Sequence, residues 1–97
     1  MRITGGKFNS REIKTPDYDN IKPTLSKTRQ GIFNALSAII DFENKLFVDM
    51  FSGSGIMSLE AFSRGFRVIS FEKDRRTAFS IKESFKKLNL KPELYVG

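Results

Sequence analysis

The apolar positions of this chain change their spacing as the chain proceeds. In "RITGGKF" and "REIKT" they alternate in part, on either side of Asn9-Ser10, which predicts a β-hairpin. "PDYDNIKP" follows with two prolines among turn-forming polar residues and reads as a loop. From about Ser26 to Ile40 the positions Ile32, Phe33, Leu36, Ile39 and Ile40 recur at helical spacing. Pro23 stands just ahead, and Thr24 or Ser26 is placed to cap the start.

Beyond Ile40 the pattern becomes strand, helix, strand, helix, strand. "LFV" leading to Asp49 is a short continuous apolar run, as expected of a parallel strand buried on both faces. Ile56, Leu59 and Phe62, with Met57 and Ala61, form the buried side of a helix that Gly65 ends. "FRVISF" is the next strand. Asp74 then caps a helix with apolar positions Ala78, Ile81, Phe85 and Leu88, and "ELYV" begins a third strand. This alternation predicts an α/β fold, a doubly wound parallel sheet with right-handed crossovers. The division expected is a basic hairpin and loop over 1–24 and the α/β body over 25–97.

Composition narrows the chemistry. Ninety-seven residues suit one domain, and 39% hydrophobic residues with ten Phe are ordinary for a globular chain. Cysteine and histidine are both absent, which excludes disulfides, thiolate metal sites and the usual general base. No stretch approaches the roughly 20 apolar residues of a membrane span, and no signal peptide is visible, so the expected location is the cytoplasm. Of the net charge of +6, residues 1–30 hold +4, through Arg2, Lys7, Arg11, Lys14, Lys22, Lys27 and Arg29 against Glu12, Asp17 and Asp19. Such an arm suits a polyanion such as nucleic acid, and equally a merely soluble basic surface.

The candidate chemistry lies in "LFVDMFSGSGIMSLEAFSRG". Gly53 and Gly55 follow Asp49 at a strand-to-helix turn, where glycine lets the backbone approach a ligand and take positive φ. Glu72 stands seventeen residues after Gly55 at the end of the second strand, and its two oxygens match the two hydroxyls of a ribose. A dinucleotide site wants G-x-G-x-x-G, but Ser58 occupies the third position and Asp49 would repel a pyrophosphate. An acid there suits an ammonium group, so the charges favour S-adenosylmethionine over NAD. The bland alternative is a tight turn with no ligand.

"VDMFSGSGIMSLEAFSRGFRVISFEKD" resembles the cofactor-binding core of class I S-adenosylmethionine-dependent methyltransferases. More narrowly, the chain is similar throughout to the bacterial family that methylates a guanine N2 in 16S ribosomal RNA. The carriers are the opening "MRITGGKFNSREIKTP", then "KPTLSKTRQGIFNAL" with Lys22 where the family usually has Arg, then the glycine turn, "LEAFSRG" and "EKD". Met57 and Ser58 depart from its usual glycine or alanine, and Ser26-Lys27 from a common acid-basic pair. No Asn/Asp-Pro-Pro-Tyr motif, which in that family holds the target amine, occurs here.

The resemblance implies a partial class I methyltransferase sheet of three strands with flanking helices, preceded by a hairpin and a helix. It implies S-adenosylmethionine as cofactor, held by Asp49, Phe51, Gly53, Ser54, Gly55, Glu72 and Lys73. By their bland readings Phe51 is core, Ser54 a helix cap and Lys73 a surface charge. The partner implied is ribosomal RNA or a 30S assembly particle, met by Arg2, Lys7, Arg11, Lys22 and Arg29. No catalytic residue is assigned, and the chain is expected to be an inactive amino-terminal part. Glu60 is either solvent-facing or a support for the glycine loop, and Lys86-Lys87 reads as a solvated face. Other classes are a non-catalytic RNA-binding module and a nicotinamide-dependent oxidoreductase domain. The first strand, lacking its fourth-strand neighbour, is expected to leave an open edge through which copies associate.

Overall fold

The computed structural model describes residues 1–13, 25–50 and 55–97. In chain order the elements are α1 (Ser26–Ser37), β1 (Leu46–Asp49), α2 (Ile56–Ser63), β2 (Arg67–Glu72), α3 (Arg75–Lys87) and β3 (Leu94–Val96). The strands are all parallel in the order β1-β2-β3, with Asp49 opposite Ser70 and Glu72 opposite Val96. Ahead of them, residues 1–13 fold back on themselves. Arg2 bridges Glu12 antiparallel, and the Ile3 and Ile13 amides donate to the Arg11 and Met1 carbonyls. The turn at the hairpin tip takes positive φ at Gly6 and Ser10.

The described helices lie on one face of the sheet. Val68 and Ser70 of β2 and Leu94 of β3 point toward α2 and α3, so alternation sends Leu46, Val48, Phe71 and Tyr95 to the other side. Leu46 and Val48 are 51% and 47% exposed, which corrects the expectation that the "LFV" strand is buried on both faces. A continuous apolar run records two faces that can be covered, and here only Phe47 has its cover.

Two apolar clusters fill the covered side. In one, Ile3 and Ile13 of the hairpin pack with Ile56, Leu59, Ile81, Phe85 and Leu88. The other gathers Phe33, Ala61, Phe66 and Val68, with Phe42 stacked on Phe66 at 4.5 Å between centroids. All four apolar positions foreseen for α3 are buried, and Asp74 caps it, accepting from the Arg76 and Thr77 amides at 2.8 and 3.4 Å. Gly65, at φ +105, follows the end of α2.

α1 departs from its pattern. It ends at Ser37, where the Ala38, Ile39 and Ile40 amides turn back to the Ala35 and Leu36 carbonyls. Phe33 is buried, but Ile32, Ile39 and Ile40 stay exposed among the described residues. Leu25 holds the N-cap position without a side-chain bond, so Ser26 is not the cap, and Thr24 lies outside the described residues. No described helix is long and apolar enough to cross a membrane.

Candidate functional site

β1 and β2 end side by side, which brings Asp49 and Glu72 to the carboxyl edge of the sheet, where ligands sit in open α/β folds. Asp49 is held through a short relay. The Ser58 hydroxyl, from the first turn of α2, donates to Asp49 Oδ2 at 2.7 Å. Ser58 has one proton to give, so the Ser70 hydroxyl 2.7 Å away donates to it in turn. Both serines are buried. In the sequence Ser58 registered only as a missing glycine; its position three residues into a helix after a strand-ending acid was the available signal.

Gly55 occupies the N-cap position of α2 with φ +79, a conformation that L side chains rarely adopt. A Cβ there would lie 3.0 Å from Ile81 Cγ1, so the glycine also lets α2 and α3 approach each other. Phe51, Gly53 and Ser54 lie outside the described residues, as does Lys22. Glu72 is half-buried at the end of β2, and its Oε2 accepts from the Asp74 amide at 2.9 Å. With Met50, Phe71 and Lys73 it walls a recess of about 220 Å³, on the small side of the roughly 300–1,000 Å³ of ligand sites. Lys73 itself is exposed.

This edge fits S-adenosylmethionine in chemical type. A buried relay of hydroxyls orients one carboxylate, a charge that suits an ammonium group. A second carboxylate, one strand over, has the two acceptor oxygens that a ribose diol requires.

The basic candidates divide. Arg2 is exposed, 3.6 Å from Glu12 and bonded to the Ser10 carbonyl. Lys7 sits over the Phe8 ring at 5.7 Å, and Arg11 is exposed on the same hairpin. Arg29 does not belong with them. It is 2% exposed, its Nε donates to Glu60 Oε2 at 2.8 Å and its Nη2 to the Arg2 carbonyl at 2.7 Å, so it cannot reach a phosphate.

Glu60 is the partner that sequence reasoning left undecided, and it is neither solvent-facing nor turned to the glycine loop. Its Oε1 accepts from the Thr4 amide at 2.8 Å and Arg64 Nη1 at 2.6 Å, while Oε2 accepts the Thr4 hydroxyl at 2.9 Å and Arg29. Burial pushes its carboxyl up, but the hydrogen bonds from Arg64, Arg29 and Thr4 outweigh that and hold it below the usual range. One turn later Ser63 accepts from the Phe8 amide and donates to the Gly5 carbonyl, and its own carbonyl accepts from the Lys7 amide. "LEAFSRG" is therefore the seat of the hairpin, which presents Arg2, Lys7 and Arg11 from a rigid base.

Residues 1–96 match the family described as Conserved hypothetical protein 95. Ribosomal RNA small subunit methyltransferase D of Escherichia coli K12 is 38% identical over 64 residues, covering 66% of this chain and 31% of that protein. The enzyme of the same name from Buchnera aphidicola of Acyrthosiphon pisum is 32% identical over 90 residues, covering 91% and 46%. Among solved structures, a hypothetical protein of Thermus thermophilus superposes with a TM-score of 0.87 at 28% identity, over all of this chain and 55% of its own. The fold is that of class I methyltransferases. The chain spans about half the length of the curated relatives it matches.

Proposed function

This chain belongs to the Conserved hypothetical protein 95 family, and on that premise we propose that it forms the cofactor half of an S-adenosylmethionine-dependent ribosomal RNA methyltransferase. The target is the exocyclic N2 of a guanine in 16S ribosomal RNA, met in the cytoplasm as RNA or as a 30S assembly particle. The observation that carries the reading is Asp49, locked by Ser58 and Ser70 beside Glu72 at the carboxyl edge of the sheet.

When bound, the cofactor supplies a methyl group on a sulfonium. Asp49 holds its ammonium end and Glu72 its ribose, while Gly55 and, by the resemblance, Phe51, Gly53, Ser54 and Lys73 line the rest. Methyl transfer to an amine is largely a matter of position, so fixing one reactant on rigid strand ends is this chain's contribution. The basic hairpin and loop of residues 1–24, with Arg2, Lys7, Arg11 and Lys22, hold phosphates.

Calorimetry with S-adenosylhomocysteine tests the site in the whole protein. Glu72→Ala should cost about 1–3 kcal/mol, the loss of a charged hydrogen-bond acceptor. Unchanged affinity removes Glu72 from the site, and tighter binding of NAD would replace the reading with the oxidoreductase one.

A further inference from the structure

α3 buries one face against α2 and the hairpin and turns a very different face outward. Arg75, Phe79, Lys82 and Lys86 recur at steps of four, three and four, which places them within about 60° of arc at 3.6 residues per turn. All four are exposed, Phe79 by 65%. No acid interrupts the stripe, since Glu83 lies to its side, and none of its three cations is ion-paired among the described residues.

Two features separate this stripe from an ordinary solvated face. Phe79 is an aromatic ring exposed in mid-helix that contributes nothing to either apolar cluster. Phe79 also stands, with Lys73, Arg75, Lys82 and Val96, on the wall of a groove of about 450 Å³ between α3 and β3. Lys73 walls both this groove and the recess of Glu72, so the stripe starts beside the candidate cofactor site and runs away from it.

We propose that this face of α3 is a second RNA-binding surface, in which Arg75, Lys82 and Lys86 track the phosphates of a single strand and Phe79 stacks on a base. The proposal rests on the RNA substrate inferred above. Cations in a row with an aromatic between them are how proteins hold single strands, because every base offers a π-face and every nucleotide a phosphate. A membrane surface fits less well: the apolar side of α3 is buried in the core, which leaves Phe79 alone to insert.

The test is anisotropy of a short fluorescein-labelled single-stranded RNA of mixed sequence, titrated with the protein at several salt concentrations. The combined Arg75→Ala, Lys82→Ala, Lys86→Ala variant should flatten the salt slope by about two, at roughly 0.7 per phosphate contact in single strands. Phe79→Ala should weaken binding on the order of tenfold at every salt without changing the slope, and Phe79→Tyr should restore it. S-adenosylhomocysteine affinity, read on the same samples, is expected to stay at the wild-type value. Unchanged RNA binding in both α3 variants, with Arg2→Ala, Lys7→Ala, Arg11→Ala still weakening it, overturns the stripe and leaves the methyltransferase reading intact. Wild-type protein that binds neither RNA nor S-adenosylhomocysteine overturns both. Binding to phosphatidylglycerol vesicles that the α3 variants lose, with RNA binding untouched, assigns the stripe to a membrane and also overturns the proposal.

Discussion

Arg29 and Glu60 meet at 2.8 Å, Nε on Oε2, from two different helices and with both side chains closed to solvent. Neither charge is affordable alone. Glu60→Gln would take the buried carboxylate away from Arg29 and Arg64 at once, and breaking a buried pair costs about 3–5 kcal/mol. Urea denaturation of that variant should show the loss, and a cost below about 1 kcal/mol would mean that water reaches the cluster.

The same cluster makes the fold sensitive to acid. Glu60 is held below its ordinary value of 4.5, so the native state gives up this proton more readily than the unfolded chain does. Its contribution is complete above about pH 5 and drains away as the pH falls through the depressed folded value. Stability measured from about pH 7 downward should be flat in this respect until near 4.5. A Glu60→Gln background should lack that part of the acid dependence.

Two glycines of similar sequence appearance should respond in opposite directions. A Cβ at Gly6, already at φ +76, would fall on the Ser63 carbonyl oxygen, so Gly6→Ala should prise the hairpin off α2 and lower the melting temperature. Gly31, inside α1, has nothing within 4 Å of such a Cβ, so Gly31→Ala should stabilise by about 0.5–1 kcal/mol through helix propensity. Thermal melts of the two variants side by side decide it.

Ser58→Ala removes one donor to Asp49 and the acceptor of the Ser70 hydroxyl. The expected cost is about 1–2 kcal/mol in stability. If Asp49 meets the ammonium group, S-adenosylhomocysteine affinity should also drop. A stability loss with unchanged affinity would confine Ser58 to the core.

Among the described residues, one flank of the sheet is uncovered. β1 has a partner strand on one side only among the described residues, and Leu46, Val48, Phe71 and Tyr95 form an apolar surface behind it. We propose that these 97 residues self-associate there. Light scattering should show mass rising with concentration, and Val48→Lys should reduce it. A wild-type monomer at high concentration would end the idea.

The strands, α2 and α3 were legible because their apolar spacing, the Asp74 cap and the Gly65 stop are local signals. Val48 was misjudged because composition cannot say which of two faces has a cover. Arg29 was misjudged for a related reason. A cation one turn into an amphipathic helix resembles a surface charge until its carboxylate, on another helix, is located. Ile39 and Ile40 kept helical spacing past the point where the backbone had already turned. Of the candidate site, Asp49, Gly55 and Glu72 were legible by type and order, whereas the Ser58–Ser70 relay depends on the register of two strands.

The seat of the hairpin has a consequence for how the chain assembles. Thr4 bonds Glu60 across 56 positions and Gly5 bonds Ser63 across 58, so the hairpin is secured only after α2 has followed it. Helix α1 can form early, yet Arg29 meets Glu60 only once α2 has emerged and docked. Closing so long a loop slows folding far more than it weakens the result. A nascent chain halted before Glu60 should therefore keep its amino-terminal segment open to protease, and the same segment should become resistant in one step once "LEAFSRG" is free to fold.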